Sequence, residues 1–182
     1  MIAEQITTQT TPIMHRAWAM PNSLTFSIKP IYNLIESVID GKESVCDPFA
    51  RKNPFADRCV TNDLDPDIVA DFHMDALDFL RTRADNEFDV LLFDPPYSPT
   101  QVSECYKKLD KTVDFQTASA AFWGNLKKEI KRVIKPSGVV MTFSWNSGGI
   151  GKGHGFRLEQ VLLVAHGGWH NDTIVTVERK HS

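Results

Sequence analysis

Four consecutive residues, Asp94-Pro95-Pro96-Tyr97, bring together the groups that methylation of an aromatic amine requires. The exocyclic nitrogen of adenine or cytosine is a poor nucleophile because its lone pair is delocalised into the ring. A carboxylate and a backbone carbonyl that accept its two hydrogens hold the nitrogen in place and draw it toward a pyramidal geometry. Two prolines remove two N–H donors and restrict φ, so the corner is stiff and its carbonyls have fixed directions. The ring of Tyr97 adds a stacking face for a base taken out of its helix. The same tetrapeptide also satisfies a plain strand-ending turn, since Asp and Pro are common turn residues. Its surroundings decide between the two readings.

Those surroundings are a series of acidic residues at or just after the ends of apolar segments: Asp47, Asp63, Asp75 and Asp94. One such residue is usually a helix cap or a turn former. Four in succession place carboxylates where open α/β sheets bind ligands, outside the carboxyl ends of their strands.

The elements that must position them alternate between two periodicities. Pro30 to Gly41 sets Ile31, Leu34, Ile35 and Val38 at helical spacing, with proline at the start and glycine at the end. Short strands are expected at Ser44 to Asp47 and Arg58 to Asn62, a helical turn within Asp65 to Phe72, and a helix at Ala76 to Arg83 with Leu77 and Leu80 inward. Phe88 to Phe93 is an almost unbroken apolar run, as in a parallel strand covered on both faces.

Ser119 to Lys135 reads as a helix that buries Phe122, Leu126, Ile130, Val133 and Ile134 and turns Lys127, Lys128, Lys131, Arg132 and Lys135 outward; Pro136-Ser137-Gly138 ends it. Val139 to Trp145 is the next strand, and a glycine-rich loop follows from Gly148 to Gly155. Gln160 to Ala165 and Asp172 to Arg179 form a closing hairpin around Gly167-Gly168, although Leu158 and Val161 also fit a short helix. The fold class is therefore α/β: one mostly parallel, twisted sheet with helices on both faces and a C-terminal antiparallel hairpin. Residues 1–15 read as a flexible tail and 16–182 as a single domain.

Composition narrows the class of protein. The chain has 182 residues, 42% of them hydrophobic, enough for one real core. No apolar run approaches the ~20 residues of a membrane span, and Met1 to Thr11 lacks the pattern of a signal peptide. Three widely spaced cysteines, Cys46, Cys59 and Cys105, suit neither a disulfide framework nor structural zinc, and point to a reducing cytoplasm. His166 and His170 stand four apart but read as loop or surface histidines, so no metal is expected. The formal net charge is −3, without the basic footprint of a dedicated DNA-binding module.

The quoted segments resemble the amino-methyltransferases that modify DNA at adenine N6 or cytosine N4, over roughly residues 20 to 180. Asp94 to Tyr97 matches the family's catalytic motif residue by residue. Lys29-Pro30 resembles its Lys-Pro element beside the methionine end of the cofactor, and Asp47-Pro48-Phe49-Ala50 the start of its cofactor loop. Asp63-Leu64 looks like the strand end where Asp63 binds the ribose hydroxyls, and Asp75-Ala76 like the element that reads the cofactor's adenine; Asp94 also borders the cofactor. The turn Lys135-Pro136-Ser137-Gly138 resembles the one before strand five. The resemblance implies a Rossmann-like methyltransferase domain, S-adenosylmethionine as cofactor, and methylation of adenine N6 in DNA.

This chain departs from the family pattern in two ways. Where the family loop continues with glycines that let the backbone approach the cofactor, Arg51-Lys52-Asn53-Pro54 stands instead. No stretch has the size of a target-recognition region, which implies relaxed or short sequence specificity. Two other classes account for some of the same features. A guanine-N2 methyltransferase of ribosomal RNA shares the small size and the Asp-Pro-Pro-Tyr turn, although Phe143-Ser144-Trp145-Asn146 looks more like the DNA adenine enzymes. A degenerate copy that has lost cofactor binding would explain the missing glycines. Lys107, Lys108 and Lys111 are candidate phosphate contacts, or a solvated face. Gly151-Lys152-Gly153-His154 is expected as a flexible basic loop near the active face, either a mobile substrate-contacting loop or a plain linker. The sequence leaves the oligomeric state open, a homodimer included.

Overall fold

The computed structural model describes residues 11–96 and 120–182. In chain order its elements are β1 (Ile13–Trp18), α1 (Lys29–Ile39), β2 (Val45–Asp47), β3 (Val60–Thr61), α2 (Ala76–Arg81), β4 (Phe88–Phe93), α3 (Ala120–Val133), β5 (Ile134–Ser144), β6 (Phe156–Ala165) and β7 (Thr173–Lys180). The strands form one sheet in the order β1-β6-β7-β5-β4-β2-β3. β3, β2, β4 and β5 are mutually parallel, so their carboxyl ends share one edge. β7 runs antiparallel between β5 and β6, and β1 joins the far side parallel to β6.

Alternation along β4 explains why its sequence is apolar throughout. Val90 and Leu92 face a core built on α1, whereas Leu91 and Phe93 face a second core built on α2 and α3. On α1, Ile31, Ile35 and Ile39 recur every four residues and are fully buried, each worth roughly 1.5–3 kcal/mol. Gly41 takes the left-handed conformation just past the helix end (φ 65°), as its position in the sequence implies.

The structure redraws several boundaries. The sheet begins at Ile13, so residues 13–15, read as tail, pair with β6 from Gln160 onward. The helix at 76 stops at Arg81, and β3 is only Val60–Thr61 because Ala56–Arg58 forms a 3-10 turn before it. β6 starts four residues earlier than expected, at Phe156, and is a strand rather than a helix.

The largest difference lies at the end of α3, which closes at Val133; Ile134 and Lys135 already belong to β5. Pro136-Ser137-Gly138 is a bulge inside that strand. Phe88 pairs with Ile134 but Val90 pairs with Val139, and Ser137 takes up the slack at φ 61°. Lys135 holds the bulge: its ammonium lies 2.9 Å from Asp89 Oδ1 and 3.1 Å from Ser44 Oγ. Burial pushes the Asp89 carboxyl up, but Lys135 and the Ser44 hydroxyl and amide together outweigh it and hold it near 2. Among the described residues no helix is long and apolar enough to cross a membrane, and no cluster of three metal-ligating side chains occurs.

Candidate active site

From β2 the chain goes outward to β3 and then returns across β2 to β4. The loops after β2 and β4 therefore diverge, leaving a crevice at the carboxyl edge between them. A shallow depression, open to solvent, lies there. Phe49, Ala50, Arg51 and Lys52 from the β2 loop, Asp94 from the end of β4, and Leu24, Thr25 and Phe26 line it.

The β2 loop is fixed from below. Asp47 is fully buried and accepts from the Phe49 N–H at 3.1 Å and from Asn53 Nδ2 at 2.7 Å. Burial pushes its carboxyl up; those two donors oppose the shift, the Asp94 and Asp63 carboxylates add to it, and the result is about 8. Asn62, also buried, donates to the carbonyls of Pro48 and Met74 and accepts from the Met74 N–H, joining the β2 loop to the segment before α2. Phe72 bridges to Asn62 in parallel, so that segment acts as one more short strand beyond β3.

Of the residues singled out from the sequence, Phe49, Ala50 and Asp94 come together on the pocket wall, with Asp47 and Pro48 buried close by. Asp94 is 7% exposed, Pro95 is buried and Pro96 half-buried; Tyr97 lies outside the described residues. Asp63 accepts from the backbone N–H groups of Arg51 and Asp65, both at 2.9 Å. Its carboxylate thus pins the β2 loop and still has lone pairs for further donors. Asp75 caps α2 by accepting from the Leu77 N–H, and Ala76 packs into the core beneath. Leu64 is half-buried, and Lys29 and Pro30 open α1, with the Lys29 ammonium over the Tyr32 ring. None of Lys29, Pro30, Leu64, Asp75 or Ala76 lines the pocket.

Three sequence expectations are corrected. The Gly151–His154 segment is not at the carboxyl edge. β6 is parallel to β5, so their connection must return to the opposite edge, where the Gly155 carbonyl accepts from the His181 N–H. His166 lies in the loop after β6 but is not on the surface: it is buried, with Nδ1 2.9 Å from the Ala19 carbonyl and Nε2 2.8 Å from Thr173 Oγ1. Lys127 does not face outward either, since its ammonium donates to the Gly149 carbonyl at 2.6 Å. Lys107, Lys108 and Lys111 fall outside the described residues. Trp145 sits exposed at the end of β5, on the pocket's edge of the sheet.

Sequence reasoning missed Leu24 to Phe26, which carry no motif, and read Arg51-Lys52 only as absent glycines. The structure resolves that departure. Arg51 itself adopts the left-handed conformation (φ 43°) that a glycine would favour, so the loop makes its turn without one.

No family model matches the sequence, and no curated protein matches it. Solved structures do resemble it. The 1,6-didemethyltoxoflavin-N1-methyltransferase of Burkholderia thailandensis, crystallised with 1,6-didemethyltoxoflavin and S-adenosylhomocysteine, aligns over 85% of this chain and 78% of its own, at 12% identity and a TM-score of 0.58. The fold is that of the Rossmann-like methyltransferases. The N-methyltransferase NodS of Bradyrhizobium japonicum aligns over 85% of this chain and 96% of its own, at 9% identity and a TM-score of 0.55. TrmN of Thermus thermophilus aligns over 84% of this chain but 49% of its own, at 18% identity and a TM-score of 0.55.

Proposed function

We propose that the protein transfers a methyl group from S-adenosylmethionine to the exocyclic N6 amine of adenine in DNA, with relaxed or short sequence specificity. One observation carries the reading: Asp94, followed by two prolines, lies on the wall of the crevice where this fold's strand order reverses, facing the β2 loop. The pocket's chemistry fits the donor. Phe26, Phe49 and Ala50 offer apolar surface, and the Asp94 carboxylate complements a sulfonium cation. When bound, S-adenosylmethionine supplies an electrophilic methyl on positively charged sulfur, which leaves as a neutral thioether.

The chain's own residues do the rest. Asp94 accepts one hydrogen of the target amine and the Pro95 carbonyl the other, aligning the nitrogen lone pair along the attack line. The nitrogen bonds to the methyl carbon as the carbon–sulfur bond breaks, and its surplus proton passes through Asp94 to water. Tyr97 provides the stacking face for a flipped base. Adenine N6 is preferred over other amines because the Asp-Pro-Pro-Tyr match and the Lys29-Pro30 element resemble the DNA adenine enzymes.

The test is nucleoside mass spectrometry after incubating DNA or RNA of mixed sequence with labelled donor. N6-methyladenine in DNA, spread over many short sites, is the expected product. N2-methylguanine alone, or a single long recognition site, would overturn the assignment. Asp94→Ala should reduce turnover by at least about 100-fold while changing donor affinity little; full activity in that variant would remove Asp94 from its role.

A further inference from the structure

The residue that replaces a loop glycine is on the pocket wall. Arg51 holds a left-handed backbone at an exposed position, where glycine would sit without steric cost. Its N–H is fixed by Asp63 at 2.9 Å, which sends the side chain along the pocket rim. There, among the described residues, its guanidinium donates only to the Ser23 carbonyl, at 3.4 Å, long for an N–H···O bond. That contact can be exchanged for a better acceptor at little cost.

The charges around the pocket give the exchange a direction. Asp94 lines it from the end of β4, while Arg51 and Lys52 are the cations that the β2 loop brings to its lining among the described residues. Acid on one side and a guanidinium on the other suit a zwitterion, such as the α-amino acid end of a sulfonium methyl donor. The depression is open to solvent, so an extended ligand can leave its remainder outside it.

We infer that Arg51 binds the α-carboxylate of the methyl donor's amino acid end, replacing with a side chain the backbone N–H contacts that a glycine loop would offer. The planar fork of a guanidinium matches a carboxylate in two parallel hydrogen bonds. Lys52, a point charge, does not. This inference rests on the donor reading above.

Calorimetry on the full chain separates the two. S-adenosylhomocysteine carries the amino acid end; 5′-methylthioadenosine lacks it. Arg51→Gly, which keeps the backbone conformation accessible, should weaken S-adenosylhomocysteine about ten- to hundredfold while leaving 5′-methylthioadenosine within about twofold. Arg51→Lys should recover part of the loss and Lys52→Ala should show little. An equal loss for both ligands, an unchanged affinity in Arg51→Gly, or the same selective loss in Lys52→Ala would overturn the inference. A wild-type chain that binds neither ligand would instead overturn the donor reading itself.

Discussion

Asp47 shows how a single buried group ties the site to stability. Its carboxyl is pushed up to about 8, first by burial and then by the Asp94 and Asp63 carboxylates, against the Phe49 and Asn53 donors. In an unfolded chain the same group releases its proton near pH 4. The folded-state pKa is raised, so its contribution is present in full below about pH 4 and is lost as pH rises through about 8. Wild-type stability should therefore fall relative to Asp47→Asn across that window, by up to about 1.4 kcal/mol per pH unit. Urea unfolding of both proteins at pH 5, 6, 7 and 8 checks the slope; parallel curves would mean that Asp47 is ionised in the fold.

At the scale of elements, the connection between β5 and β6 is anchored by side chains of β7 and α3 in addition to its own 3-10 turn at Lys152–His154. Glu178 on β7 is buried and accepts from the Ile150 and Gly151 N–H groups, while Lys127 on α3 donates to the Gly149 carbonyl. Gly149 combines a left-handed φ of 51° with direct contact between any added Cβ and the Glu178 carboxylate. Nothing lies near a Cβ at Gly153. Gly149→Ala should thus destabilise the fold by at least about 1–2 kcal/mol, and Gly153→Ala by less than about 0.5 kcal/mol. The difference in urea midpoint between the two variants measures this, and equal midpoints would contradict the anchoring role of Glu178.

Across the whole molecule, the segment after β1 links the sheet's two halves. β1 pairs with β6 at one side of the sheet, and the chain then passes along the carboxyl edge to bring Leu24, Thr25 and Phe26 to the pocket on the other. His166 fastens that passage near its start by bonding Ala19 and Thr173. The carbonyl can only accept, so Nδ1 carries a proton and, in the neutral ring, Nε2 accepts from the Thr173 hydroxyl. His166→Ala leaves both partners without their bond and should cost about 1–3 kcal/mol. The loss should appear in denaturant unfolding, and the same variant should weaken S-adenosylhomocysteine binding, although His166 is not part of the pocket lining.

The sequence by itself determined the α/β class, the burial of Phe88–Phe93, the face of α1 and the position of the Asp-Pro-Pro corner at a strand end. These follow from local rules: side-chain periodicity, the fixed φ of proline and the freedom of glycine act within a few residues. Tertiary structure alone decided that Lys135 would turn from helix to strand, that His166 would be buried, and that Gly151–His154 would lie at the edge opposite the pocket. Each depends on a partner far along the chain, Asp89 for Lys135, Ala19 for His166 and β7 for the β5–β6 connection, which periodicity does not register. Arg51 spans both kinds of knowledge. The missing glycine was visible in the sequence, but only the fold brought its φ, Asp63 and the pocket rim together.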